Sequence, residues 1–365
     1  MTEKFTAIFS TKQVEYNPPP GFFSGQARDT YDSPERISTL IEALQELHLT
    51  DEIQLALPKK YNPELIYLVH KPEYVEFLKG TSEEMFQKPD VSIARIIEPN
   101  NNAVKIETYP AFTYPSVFPH GLNARSTNHE AQKGIFSFDI ATPISGNTYD
   151  QALLSAQIAL TGADLMLDGT NSVYCLCRPP GHHAESSKMG SYCYFNNAAL
   201  AAEYVRKKTN GRIAILDIDA HHGNGTQDIF YFRSDVYYGS VHGDPKSKPP
   251  YFSGYSDELG AEEGLGFNQN VPLPLNSNSE AVINAIGKIL HYIRQYQPNY
   301  LIVSLGFDGH KQDPSKIFAM ETEAYYQVGR IISSLLLPTL VVQEGGYYIP
   351  GLGQNLNAFV KGLKD

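Results

Sequence analysis

The chain has 365 residues, 42% of them hydrophobic and 19% charged, with a formal net charge of −11; this fits a globular protein with a sizeable core and excludes a disordered one. The negative balance tells against unassisted nucleic-acid binding, which needs a basic patch, and is compatible with a cationic ligand. No signal-peptide pattern opens the chain and no apolar run approaches the roughly 18 residues of a membrane span, so the expectation is a cytoplasmic protein without membrane or direct nucleic-acid contacts.

In chain order, Ser33 followed by Pro34 predicts a cap and first turn for a helix over 33–47. The stretch 81–148 is long, rich in Pro and Asn and poorly periodic. Within it, "YPAFTYPSVFPHG" interleaves aromatics with proline, which rules out a regular helix or central strand. A structureless loop of that length is unusual without a function, and it reads as an insertion within a single domain spanning 1–365. Thr148-x-x-Gln151 predicts a capping box opening a helix over 148–167.

Strands and helices then alternate. The runs 173–177, 213–218, 236–241, 300–305 and 339–343 read as strands, 196–208, 279–295 and 321–336 as helices, and 243–274 as a second irregular stretch. Such alternation predicts βαβ units, hence an α/β fold with a mostly parallel sheet. Cys175 and Cys177 lie within the first of these strands with no second pair, and Cys193 makes the count odd. That suits buried thiols in a reducing compartment better than a disulfide framework or a zinc cluster.

In open α/β sheets ligands bind beyond the carboxyl ends of the strands, and four of these strands end in reactive residues. The first runs into "RPPGHHA", with His182 and His183 after a rigid Pro-Pro-Gly turn. The second runs into "LDIDAHHGNG", where Asp217, Asp219 and His221 recur at intervals of two and so share one side of an extended chain. "LIVSLGFDGH" ends at Asp308, and "LVVQEGGYY" at Gly345, Gly346 and Tyr347. Asp219, His221 and Asp308, two carboxylates and an imidazole with room for a further ligand, suit a catalytic Zn²⁺ or Fe²⁺. Hydrolysis at such an ion also needs a proton carrier, for which His182 and His183 are the candidates. Tyr347, after two glycines that allow close backbone approach, is a candidate donor to a developing oxyanion.

These residues in this order resemble the arginase-fold deacetylases, histone deacetylases and, more closely, bacterial acetylpolyamine amidohydrolases. The motifs that carry the resemblance are "CRPPGHHA", "GSYCYFNNAALAA", "LDIDAHHGNGTQDIFY", "SVHGDP", "VSLGFDGHKQDP" and "EGGYYIPGLGQN", and it runs from about Asp32 to the C-terminus. It implies a three-layer α/β/α fold with a mostly parallel central sheet and long active-site loops. It also implies zinc on Asp219, His221 and Asp308, carbonyl polarisation by Tyr347, and His183 as general base and later acid beside His182. Asp217 is then expected to orient His182 and to help hold a structural monovalent cation, K⁺. Asn224 falls where some members carry a second aspartate and others, the polyamine enzymes among them, carry asparagine, and as a neutral partner it leaves His183 less basic.

The resemblance further makes Tyr192 one wall of a narrow acyl-lysine channel bordered by Gly345 and Gly346, with Tyr251 or Phe252 opposite. Ser191 departs from the pattern, standing where a glycine is usual before the aromatic. The 81–148 segment matches an insertion that mediates dimerisation and restricts entry to thin substrates, and Glu130 matches an acidic residue that meets distal ammonium groups. The implied function is deacetylation of N-acetylpolyamines or similar small acetylated amines by a zinc-dependent homodimer. The rivals are a protein lysine deacetylase acting on acetyl-lysine peptides, which would share the catalytic site and differ at its rim, and an inactive acyl-lysine-binding scaffold.

Overall fold

The computed structural model describes residues 5–23, 26–98, 103–116 and 128–365. Eight strands form one sheet: β1 (Thr6–Ile8), β2 (Gln54–Ala56), β3 (Ser172–Cys175), β4 (Ile213–Asp217), β5 (Val236–Gly243), β6 (Asn268–Leu273), β7 (Tyr300–Leu305) and β8 (Thr339–Gln343). Their order is β6-β5-β4-β7-β8-β3-β1-β2, and every pairing is parallel. The inner strands are continuous apolar runs because both faces are covered, as parallel sheets require.

The two faces separate residue by residue. Ala214 and Leu216 of β4 join one core with Leu301 and Val303 of β7, packed by α1 (Pro34–Leu49), α7 (Ser279–Tyr296), α8 (Thr322–Ser333) and α9 (Ile349–Lys364). Ile213 and Ile215 join the other core with Ile302 of β7, packed by α2 (Pro72–Phe86), α4 (Thr148–Leu167), α5 (Asn197–Thr209) and α6 (Asn224–Phe230). Each fully buried aliphatic side chain contributes about 1.5–3 kcal/mol relative to exposure, so this alternation fixes the register of the sheet.

Several expectations are corrected. The helix over 148–167 begins without a capping box: Asn147 is its cap residue, and the Thr148 hydroxyl accepts instead from Ser145 N at 2.9 Å. Ser33 is the N-cap residue of α1 with Pro34 in its first turn, as expected, although its side chain makes no capping bond. Strand β3 stops at Cys175, because the Cys177 N–H turns back to the Cys175 carbonyl at 2.9 Å. All three cysteines are buried and free. Within the supposedly irregular 81–148, α2 continues to Phe86, and Val91–Glu98 pairs antiparallel with Ala103–Tyr109. Phe112–Thr113 pairs with Ile144–Ser145, and a short helix α3 spans His129–Ile135. The second irregular stretch contains edge strand β6, whose Pro272 is tolerable because only one side is paired.

Candidate active site

The chemistry gathers at the carboxyl ends of four consecutive strands, β4, β7, β8 and β3. Asp219 and His221 follow β4, Asp308 follows β7, Tyr347 follows β8, and His182 and His183 follow β3. Asp219, His221 and Asp308 each offer a ligand atom, and these atoms lie within 4.8 Å of one another. The His221 Nδ1 is 2.7 Å from Asp308 Oδ2 and 3.2 Å from Asp219 Oδ1. The remaining carboxylate oxygens are tied to backbone, Asp308 Oδ1 by Ala220 N at 2.9 Å and Asp219 Oδ2 by Gly345 N at 2.7 Å. Gly306 and Gly345 are needed here, since a β-carbon on either would come within 2.3 and 2.5 Å of Asp219 Oδ2.

This cluster is built for positive charge. Burial opposes a charge on His221, yet Asp219 and Asp308 raise it to about 10. Burial raises Asp219, but His182 and His221 outweigh it and hold the carboxyl well below the usual range. Burial and the neighbouring Asp219 push Asp308 up to about 7. Two buried carboxylates and an imidazole nitrogen, oriented by backbone donors, offer an O,O,N donor set that could hold a divalent metal.

Beside it, the His182 and His183 rings have centroids 4.1 Å apart, and their surroundings shift them in opposite directions. His182 donates from Nδ1 to Asp217 Oδ2 at 3.1 Å, and against its burial Asp217 and Asp219 raise it to about 10. For His183, burial and the charges of His182 and His221 lower the imidazole well below its ordinary value. Its Nδ1 meets Asn224 Oδ1 at 2.8 Å, while Asn224 Nδ2 donates to Glu185 Oε1 at 3.1 Å. A carboxylate can only accept, so the amide must present its oxygen to His183, whose Nδ1 therefore carries the proton. That leaves Nε2 of the neutral ring as the basic nitrogen.

The sequence reading missed three supporting groups. Buried Glu344 accepts from Gly181 N at 2.7 Å and His182 N at 3.1 Å, clamping the Pro-Pro-Gly-His turn to β8. Buried Arg36 donates to the carbonyls of Glu344 and Gly346, and its guanidinium lies 5.1 Å from the Tyr347 ring centre. Asp313 accepts from Tyr347 N at 2.7 Å and Tyr348 N at 3.0 Å. Asp313 and Glu344 lie inside the quoted motifs "VSLGFDGHKQDP" and "EGGYYIPGLGQN", which was the available signal for them, whereas no local pattern marks the role of Arg36.

Residues 30–363 match the histone deacetylase domain model. The chain belongs to the histone deacetylase domain family. Among curated relatives of this deacetylase-family enzyme, an acetylpolyamine amidohydrolase of Burkholderia pseudomallei is 36% identical over 97% of each chain. The acetylpolyamine amidohydrolase of Mycoplana ramosa is 34% identical over 98% of each. A crystal structure of acetylpolyamine aminohydrolase from Burkholderia pseudomallei matches with TM-score 0.87 and 35% identity over 98% of both chains. The architecture is thus the three-layer arginase/deacetylase fold.

The deacetylase cleft, of about 400 Å³, is lined by His183, His221, Tyr192 and Tyr347 together with Arg28, Tyr31, Asp139, Ser191, Lys248, Pro249 and Ser315. Tyr192 stands 6.5 Å from Tyr347 between ring centres. Ser191 and Tyr192 adopt φ of +49° and +68°, the left-handed region that explains the usual glycine before the aromatic. Ser191 is held there by its N–H to Asp139 Oδ2 at 2.5 Å. The expected opposite wall is different: Tyr251 is 57% exposed, and Phe252 borders a neighbouring cleft with Glu185, Asn224 and Glu258. Phe252 packs edge-on against Phe138 at 5.6 Å, while Lys248 and Pro249 are among the residues that line the cleft. Glu130 belongs to α3, and its side chain lies outside the described residues. Among the described residues no helix is long and apolar enough to cross a membrane.

Proposed function

We propose that the chain hydrolyses the acetamide of small N-acetylated amines, the class that includes the acetylpolyamines for which its relatives are named. The observation that carries this reading is the convergence of the Asp219, His221 and Asp308 donors with His183 and Tyr347 in one cleft. A divalent cation held by the three donors, zinc on the chemistry of the set with iron(II) the alternative, would polarise the acetamide carbonyl and acidify water. His183, neutral at pH 7, takes a proton at Nε2 and returns it to the departing amine. Its Nδ1–H to Asn224 holds the tautomer that leaves Nε2 basic. His182 stays protonated against Asp217 and lends positive charge to the site. Tyr347 donates its hydroxyl to the developing oxyanion, its ring held between Arg36 and Tyr31.

Asp217 is buried and also accepts from the Tyr238 hydroxyl at 3.1 Å; a monovalent cation, K⁺, beside it would balance its charge. Self-association through the 81–148 segment is part of the same reading, supported by the exposed hairpin residues Val91 and Ile106. Acetate release by the zinc-loaded protein from acetylputrescine, acetylspermidine and an acetyl-lysine peptide tests the substrate class. Higher specificity constants for the free amines are expected. A preference for the peptide would instead make the chain a protein lysine deacetylase.

A further inference from the structure

The cleft above His183 and His221 carries cations where a polyamine would call for anions. Among the described residues its lining includes Arg28, Lys248 and one non-ligand carboxylate, Asp139. That carboxylate is already engaged: Asp139 Oδ1 accepts from Ala141 N at 2.9 Å, and Oδ2 from Ser191 N at 2.5 Å and the Thr142 hydroxyl at 3.2 Å. Burial also raises the Asp139 carboxyl above its ordinary range, so it is a weak attractor for an ammonium.

Lys248 is held in place. It is half-buried, its N–H bonds to Asp244 O at 3.1 Å, and its Nζ donates to the Ser315 carbonyl at 2.5 Å. Ser315 is itself anchored, by its N–H to Asp313 Oδ1 at 2.9 Å and its hydroxyl to the Asp308 carbonyl at 2.9 Å. The ammonium is therefore pinned to the cleft wall beside the loop that carries Asp308. One of its three N–H groups is used by Ser315, and two remain for a ligand. Among the described residues no carboxylate pairs with it.

We propose that Lys248 is a specificity-determining residue, its ammonium selecting acetylated amines whose far end is a carboxylate, N-acetylated ω-amino acids, over equally long ones ending in an ammonium. The inference rests on the deacetylase reading above and narrows its amine. In this binding mode the acetamide lies at His183 and His221 and the terminal group lies against the Lys248 wall of the same cleft. Two unit charges a few ångströms apart there fall between the bulk-water and near-surface limits, and an effect of about tenfold on the specificity constant, about 1.4 kcal/mol, lies within that range.

The test uses the full, zinc-loaded chain and three probes of matched length: 4-acetamidobutanoate, N-acetylputrescine and the neutral N-butylacetamide. Each charged probe is scaled to the neutral one, which corrects for any change in folding or metal content. The wild-type carboxylate-to-ammonium ratio of kcat/KM is expected to exceed one and to flatten in 1 M salt. Lys248→Gln, which keeps a donor for Ser315, is expected to lower that ratio about tenfold, and Lys248→Glu to invert it. Turnover with a ratio unmoved by both substitutions overturns this inference alone. No turnover of any probe overturns the deacetylase reading and this inference with it.

Discussion

Replacing Asn224 by aspartate changes the charge of the group that faces the proposed base while keeping its shape. The Asn224 oxygen is 2.8 Å from His183 Nδ1. A carboxylate at that position would stabilise the imidazolium, and an adjacent opposite charge shifts a titrating group by about 1–3 pH units. Glu185 reduces the effect, because its Oε1 accepts from Asn224 Nδ2 at 3.1 Å and burial already raises its carboxyl. Two carboxylates meeting there would share a proton, which leaves an expected rise for His183 of about 1–2 pH units. The base acts only when neutral, and a raised value keeps it protonated to higher pH. The acid limb of kcat/KM for Asn224→Asp should therefore move upward by that amount, with activity lost at a higher pH than in the wild type and recovered in more alkaline buffer. The assay is a pH profile on neutral N-butylacetamide with zinc content checked at each pH. An acid limb that stays in place while zinc is retained would refute the assignment of His183 as the titrating base.

Tyr347→Phe should keep its metal and lower kcat about 100-fold or more, the scale of one lost oxyanion donor; unchanged turnover would remove that role. Gly306→Ala puts a β-carbon 2.3 Å from Asp219 Oδ2 and 2.7 Å from Asp308 Oδ1. Zinc affinity, read by competition with a chelating dye, should fall about 10–100-fold, as when ligand orientation is disturbed, and an unaltered affinity would contradict the ligand set. A pH effect on stability is expected from His70, which is buried, accepts from Asn196 N at 2.9 Å and is lowered by burial to about 4. Its folded value lies below the unfolded one, so between the two only the unfolded chain binds the proton, and stability falls as pH drops below about 6.5. The loss amounts to about 3 kcal/mol by pH 4. Urea midpoints at neutral and acid pH should show a correspondingly smaller acid loss in His70→Gln; an equal loss would assign the acid limb elsewhere.

The legible part of this fold is the part whose pattern is local. The continuous run Ile213-Ala214-Ile215-Leu216 is buried throughout, and the residues after it announce their chemistry by the spacing of Asp217, Asp219 and His221, although the strand ends at Asp217 and the last two stand in the bends that follow it. Strands β1 and β2 are only three residues long and carry too little pattern to be read. Strand β6 begins Asn-Gln-Asn, and its buried Asn268 and Asn270 both bond to Gln227 Oε1, at 2.9 and 2.8 Å, so a hydrophobic criterion passes it over. Arg36, Asp313 and Glu344 act through partners distant in sequence, Arg36 on backbone 308 and 310 residues away. The motif carried the placement of Tyr192, whereas the opposite wall depended on how the loop around Lys248 and Pro249 turned.

The central claim is that an ion held by Asp219, His221 and Asp308 makes this cleft a deacetylase. The most direct measurement is acetate release from N-butylacetamide as zinc is titrated into chelator-stripped protein, with Asp308→Ala in parallel. The account requires activity to rise from near zero and to break at one equivalent of zinc, with no activity and no tight zinc in the variant. Full activity in the stripped protein, or a tightly bound equivalent of zinc retained by Asp308→Ala, would contradict it.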